Sequence, residues 1–346
     1  QLFGDRMYIA NATGCTSIWG NSSPSTPYTA NKAGKGPAWS NSLFEDNAEF
    51  GYGMLLAQQA IRDGLKAKVE EVAANENATA EVKAACQEWL DTFGVGATNG
   101  AATDKLVAAL ENVDCPTCKD IVKNKDFLAK KSQWIFGGDG WAYDIGFNGV
   151  DHVLASGKDI NIMVFNTEVY SNTGGQSSKA TPTGAVAQFA AGGKEVKQKD
   201  LAAIAMSYGY VYVAQISMGA DMNQTIKAIA EAEAYPGPSL IIAYAPCINH
   251  GIKKGMAKAQ TEEKLAVQSG YWNLFRFNPA AEGKKFSLDC KPATVDYQEF
   301  IKGEVRYTSL ALKNPARAEK LFAKAEQNAK DKYAYLEKLV TLYDEK

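Results

Sequence analysis

The sequence predicts an α/β fold: a mostly parallel sheet flanked by helices, with a helical insertion and a C-terminal helical arm. Three observations carry this. Short apolar runs rich in β-branched and aromatic residues recur along the chain, separated by segments of helical period, which is the rhythm of βα units. The run at 160–165 (INIMVF) lacks strict alternation, as expected of a strand buried on both faces of a parallel sheet. Residues 67–131 and 315–342 are instead polar, rich in Ala, Glu and Lys, and read as helices.

Taken in order, residues 7–10 read as the first strand, followed by Asn11-Ala12-Thr13-Gly14-Cys15. Residues 20–42 are rich in Gly, Ser, Pro and Asn without periodicity, so a long surface loop is expected, and loops of that length tend to be functional. A helix is expected over 44–66, from the spacing of Leu55, Leu56, Gln59 and Ile61. The insertion at 67–131 contains Cys115-Pro116-Thr117-Cys118. A CxxC is redox-active or half a zinc site in some proteins. With no second CxxC or nearby His, the bland reading is an incidental surface pair.

Residues 134–176 form the centre of the chain. Trp134 to Phe136 make a short strand that Gly137-Gly138-Asp139-Gly140 ends. Ala142, Gly146, Gly149, Val150 and Val153 then recur at helical spacing. With the strand at 160–165 this is a βαβ unit, whose crossover should be right-handed. It places Asp139 beside Thr167, each just past the carboxyl end of its strand, where open α/β sheets bind ligands. Short helices are expected over 183–191 and 200–208, a strand over 210–217 and a helix over 221–235. A last strand over 239–245 precedes Cys247. Four strand ends thus point Cys15, Asp139, Thr167 and Cys247 at one rim. Beyond it, 253–270 and 315–342 read as helices and 271–306 as irregular. The division expected is a domain over 1–270, with 67–131 inserted, and an arm over 271–346 that contacts a second subunit.

Composition narrows the function classes. With 346 residues and 46% hydrophobic content the chain can bury a large core. A net charge of -2 and no dense basic stretch argue against nucleic acid. No apolar run reaches the roughly 18 residues of a membrane span. Six cysteines do not make a disulfide framework, so a reducing, cytoplasmic compartment is expected. Only His152 and His250 are present, and His152, among apolar helix positions, reads as structural. Histidine-centred acid–base catalysis is poorly supported, whereas a cofactor-dependent reaction fits. The start, QLFGDRMYIANATG, lacks Met and resembles neither a signal nor a transit peptide, so the chain reads as a piece of something longer.

A carboxylate between glycines at a helix start attracts no bare phosphate, although the helix N-terminus does. A divalent cation between Asp139 and a phosphate resolves the conflict, since Mg²⁺ takes hard oxygen ligands from one or two carboxylates and phosphates. Gly138-Asp139-Gly140 followed one βαβ unit later by Asn166-Thr167 resembles the thiamine-diphosphate fingerprint, with Thr167 in place of its second Asn. The longer string TEVYSNTGGQSSKATPTGA, together with IANATGCTSIWG and AYAPCINHG, resembles the C-terminal thiamine-diphosphate domain of the pyruvate:ferredoxin (or flavodoxin) oxidoreductases over nearly the whole chain.

The resemblance implies a thiamine-diphosphate-binding fold in an enzyme of anaerobic metabolism that oxidises pyruvate to acetyl-CoA and CO₂. Electrons would leave through [4Fe–4S] clusters to ferredoxin or flavodoxin. It implies Mg²⁺ held by Asp139, Thr167 and the Val169 carbonyl. Gly138, Gly140, Trp141 and the loop residues Glu168, Val169, Tyr170 and Ser171 would cradle the diphosphate. Asn172 would face the substrate, and Cys15 and Cys247 would give two of four cluster ligands, with Cys15 also touching the cofactor. The family takes its other two ligands from a cysteine segment preceding Gln1, and its aminopyrimidine-activating glutamate from another domain. The chain alone is therefore expected to be catalytically incomplete. Implied partners are the remaining domains of the enzyme, CoA and a second subunit, in the cytoplasm or a hydrogenosome-type organelle. Two other readings remain open: the same chemistry on 2-oxoglutarate or a branched-chain acid, and a non-catalytic cofactor-binding or assembly module.

Overall fold

The computed structural model describes residues 2–22 and 26–344. The chain packs into two compact units. One comprises Gln1–Ile9, Tyr28–Trp39 and Phe50–Gln133; the other comprises Ala10–Pro27, Ser40–Glu49 and Trp134–Lys346.

The strands are β1 (Met7–Ala12), β2 (Ala38–Ser42), β3 (Ser132–Gly138), β4 (Ile160–Asn166), β5 (Tyr212–Ile216), β6 (Pro238–Tyr244), β7 (Phe275–Phe277) and β8 (Phe286–Leu288). They form one sheet in the order β2-β1-β3-β4-β6-β5-β7-β8. The pairs β3–β4, β4–β6 and β5–β6 are parallel, while β7 and β8 add antiparallel at one edge. The mostly parallel α/β architecture expected from the sequence is thus the one observed. Every residue of β4 but Phe165 is buried, which explains its unbroken apolar character.

Register decides where the strands stop. Gly138 pairs with Phe165, and Asn166 with Tyr244. The residues that follow these pairs therefore leave the sheet at one level, on the carboxyl edge. Between β3 and β4 the chain makes a π-helical turn, Gly140–Ile145, and then the helix Phe147–Ala155, whose Gly149, Val150, Val153 and Leu154 form the buried face. Gly137 is fixed by packing: a Cβ there would lie 2.4 Å from the Trp141 ring.

Several local expectations differ from the structure. Residues 183–191 are not helical. Gln188 and Ala190 instead make isolated bridges to Gln176 and Ala187, and Phe189 takes a positive φ of 65° with its ring exposed. The backbone groups that a helix needs are spent across the loop: the Gln188 carbonyl accepts from Ser177 N–H, and Gln188 N–H donates to Gly175. The stretch 271–306 is not irregular, since it supplies β7, β8 and the helix Tyr297–Ile301. Three-residue strands are too short for a period-two signal to emerge. Phe275 and Phe277 are buried, and Arg276 between them pairs with Glu231 at 2.7 Å and Asp289 at 2.8 Å. Ala38–Ser42, inside the expected loop, is an edge strand. His152 lies on the exposed side of its helix, and the buried histidine is His250.

In the other unit, the helices Asn47–Ala74 (from Phe50 onward), Ala80–Asp91, Gly96–Leu110 and Pro116–Lys123 enclose an apolar cluster. Trp89 is fully buried there and its indole N–H donates to Thr103 Oγ1 at 3.2 Å. Cys86 and Cys118 belong to the same cluster. The CxxC is therefore no surface pair: Cys118 is 2% exposed and Cys115 half-buried.

Among the described residues, no helix is long and apolar enough to cross a membrane. Trp89→Ala should lower the unfolding free energy of the helical unit by about 3–5 kcal/mol, the usual cost of emptying a buried indole site. Urea unfolding followed by circular dichroism measures it; a loss below about 1 kcal/mol would show that this core is not packed as described.

Candidate functional site

The carboxyl edge opens into a cavity of about 670 Å³. Gly14 and Cys15 line it from the segment after β1. Gly138 ends β3 and Gly140 follows it, Thr167, Val169, Tyr170, Ser171 and Asn172 follow β4, and Cys247 follows β6. The sequence-derived residues Cys15, Gly138, Gly140, Thr167, Val169, Tyr170, Ser171, Asn172 and Cys247 are thereby brought around one space. Asp139 is completely buried immediately beneath it.

The Asp139 carboxylate ties this edge together. Its Oδ1 accepts from the Thr167 N–H at 3.1 Å and the Thr167 hydroxyl at 2.9 Å, and its Oδ2 accepts from Ser178 Oγ at 2.6 Å. No described Lys or Arg forms an ion pair with it. Burial pushes its carboxyl up to about 7, against the lowering effect of the bonds from Ser178 and Thr167. A cation beside it would favour the charged form. The groups next to the Thr167 hydroxyl are oxygens: it lies 3.0 Å from the Val169 carbonyl and 2.7 Å from Ser171 Oγ. That is a hard-oxygen set around one carboxylate, which suits Mg²⁺ and suits no thiophilic metal.

Glycine at 140 is required by packing, because a Cβ there would come within 2.7 Å of the Tyr170 ring. Cys15 is half-buried, and burial first, then its neighbour Cys247, pushes its thiol up. The two sulfurs thus lie within electrostatic reach on the same wall. Asn172 stands exposed at the mouth.

Two of the sequence-derived residues face elsewhere. Trp141 is fully buried with its ring against Gly137 and Gly146. Glu168 has every polar group engaged away from the cavity. Its N–H donates to Asn166 Oδ1 and its carbonyl accepts from Thr181. Its carboxylate accepts from Gln198, Tyr271 and Arg306. Glu168 also sits at φ 60°, in the left-handed region that a β-carbon disfavours by about 1–3 kcal/mol.

Those partners were not foreseen in the sequence. Arg306 is 4% exposed and bonds Glu168 at 2.8 Å and Glu304 at 2.7 Å. His250, fully buried, donates through Nε2 to the Thr167 carbonyl at 2.7 Å. Burial and Arg306 depress its pKa, so the imidazole is neutral and the Nε2 proton is fixed by its carbonyl partner. Thus the loop carrying Thr167 and Val169 is clamped from behind by residues after 248. Ser178, Thr181 and His250 lie inside the motif strings, but nothing in those strings marks Ser178 as the donor to the second carboxylate oxygen of Asp139.

Arg306→Met should strand two buried carboxylates and destabilise the sheet unit by about 3–5 kcal/mol. Adding Glu168→Gln and Glu304→Gln should return part of that loss. Denaturant unfolding of the two variants checks this, and an Arg306→Met chain as stable as wild type would contradict the clamp.

Residues 122–243 match the family model described as thiamine pyrophosphate enzyme, C-terminal TPP binding domain. A pyruvate-flavodoxin oxidoreductase of Klebsiella pneumoniae is 55% identical over 344 residues, 98% of this chain and 29% of that protein. A pyruvate:ferredoxin oxidoreductase of Moorella thermoacetica is 56% identical over 349 residues, 98% of this chain and 30% of that protein. A mitochondrial pyruvate dehydrogenase [NADP(+)] of Euglena gracilis is 48% identical, covering 95% of this chain and 18% of that protein. The chain spans about 30% of the length of the first two relatives. Nearly the whole chain is thus similar to one segment of the pyruvate:ferredoxin and pyruvate-flavodoxin oxidoreductases, and residues 122–243 at its centre match the thiamine pyrophosphate-binding family model.

Proposed function

We propose that this chain holds thiamine diphosphate and Mg²⁺ for the oxidative decarboxylation of pyruvate to acetyl-CoA and CO₂. The observation that carries the proposal is the buried Asp139 carboxylate bonded to Thr167, which lines the cavity. Asp139, the Thr167 hydroxyl and the Val169 carbonyl hold the metal. Gly138, Gly140, Tyr170 and Ser171 wall the diphosphate. When bound, thiamine diphosphate supplies a carbon nucleophile for the 2-oxo acid and an electron sink for the loss of CO₂.

This chain's residues prepare the site for that chemistry. Asp139 provides fixed charge against the cation, and its own hydrogen bonds keep it from reorganising. Asn172 presents a neutral amide donor at the mouth, suited to an oxygen that gains negative charge. Cys15 and Cys247 offer two thiolates for a [4Fe–4S] cluster, which takes four; the other two come from elsewhere in the enzyme. CoA, the ferredoxin or flavodoxin acceptor and the remaining domains are the partners this reading requires, in the cytoplasm. The domain over 1–270 carries the cofactor and the segment after 271 braces it.

The binding role is tested by titrating thiamine diphosphate with Mg²⁺ into wild type and Asp139→Ala by calorimetry. Affinity should fall at least about tenfold, or about 1.4 kcal/mol, while the folded circular dichroism spectrum is kept. Equal affinities would remove Asp139 from the metal site. A second measurement concerns turnover: the pure chain should not oxidise pyruvate, and measurable reduction of an artificial electron acceptor without added partner chains would show that two cluster ligands suffice.

A further inference from the structure

The Cys115-Pro116-Thr117-Cys118 segment lies in the helical unit and plays no part in the cofactor site. Cys115 is the N-cap of the helix Pro116–Lys123, in extended backbone (φ −136°, ψ 130°) just outside the first turn. Its sulfur takes the place that a Ser or Asp oxygen usually fills, accepting the Cys118 N–H at 3.4 Å. Pro116 at the first helical position loses no hydrogen bond, since that amide has no partner within a helix. The Cys115 sulfur already meets both the amide and the thiol of Cys118, so the two sulfurs are neighbours, and a disulfide needs only that their β-carbons settle at about 3.5–4.5 Å.

The two thiols are unequal. Cys115 is half-buried and reachable from solvent, whereas Cys118 is 2% exposed within the apolar cluster. The Cys118 thiol and its N–H both donate to the Cys115 sulfur and lower its pKa, while burial raises that of Cys118. Thiolate character therefore gathers on the accessible member. Cys86 lies behind, fully buried, its thiol pushed up to about 11 by burial. Among the described residues no three His, Cys, Asp or Glu side chains are grouped to hold a metal, so three nearby thiols do not amount to a zinc site.

We infer that Cys115 and Cys118 form a redox-active dithiol that exchanges with a small-molecule or protein disulfide. Cys115 thiolate attacks one sulfur of the external disulfide, forming a mixed disulfide and expelling one thiolate. Cys118 then gives up its proton, which the expelled thiolate accepts, and attacks the Cys115 sulfur. The second external thiolate leaves and takes a proton from solvent, the one Cys115 had released. Two protein thiols become one intramolecular disulfide, and the external disulfide becomes two thiols.

The full chain is equilibrated with oxidised and reduced glutathione at varied ratio, quenched in acid, alkylated and mapped by peptide mass spectrometry. Wild type should lose two alkylatable thiols as a Cys115–Cys118 crosslink, reversibly on return to reduced glutathione. Cys118→Ala should accumulate glutathione on Cys115, Cys115→Ala should lose the crosslink, and Cys86→Ala should keep it. Three results would overturn the inference: both thiols alkylatable at every ratio, a wild-type glutathione adduct on Cys115 that never resolves, or a Cys86–Cys118 crosslink instead. Because the readout concerns the helical unit alone, it stands whether or not the cofactor proposal does.

Discussion

A single buried carboxylate sets the terms for the carboxyl edge of the sheet. Asp139 is out of water, forms no ion pair with a described residue, and accepts from two hydroxyls and one amide. Such a group is costly unless its hydrogen bonds are held rigidly or a cation joins it. Each nearby feature follows from that. The parallel register of β3 and β4 delivers Thr167 to Oδ1, and the loop after β4 returns to present Ser178 to Oδ2. Glycine at 140 lets Tyr170 close over the turn.

The opposite charge lies one layer back. Arg306 is enclosed between Glu168 and Glu304, with Tyr271 bonded to both Arg306 and Glu168. Buried pairs of this kind give little net stability, but removing one member is expensive. Their effect is therefore conformational: they hold Glu168 in a left-handed backbone that it would otherwise leave, and so fix the direction of the Thr167 and Val169 carbonyls on either side. The oxygens facing the cavity are kept free of positive side chains, while the charge that orients them is compensated out of solvent's reach.

Much of this was readable in the residues. The Gly-Asp-Gly turn, Thr167 one βαβ unit later, and the strands that place them all follow from local pattern and periodicity. The failures share a cause. Residues 183–191 have helical composition, but the Gln188 carbonyl and N–H are committed to Ser177 and Gly175, contacts that only the folded loop creates. Strands β7 and β8 are too short for alternation to speak. Arg306 carries no local mark at all, since its importance lies in a partner with no fixed spacing. The unequal burial of Cys115 and Cys118 was equally invisible, because a CxxC reads the same on a surface as at the cap of a half-buried helix.

Arg306 lies 138 positions after Glu168, and that separation has a bearing on how the protein is made. Closing so long a loop carries a larger entropic cost than closing a hairpin, although the cost rises only logarithmically with length. During synthesis the strands and the Asp139 turn emerge first, and Glu168 then waits without its guanidinium until the chain has grown past residue 306. Until then the left-handed turn has only the earlier partners of Glu168, namely Asn166, Thr181, Gln198 and Tyr271, to hold it. The loop after β4 thus owes its final form in part to a residue that contributes nothing to the cavity wall and arrives late in the chain.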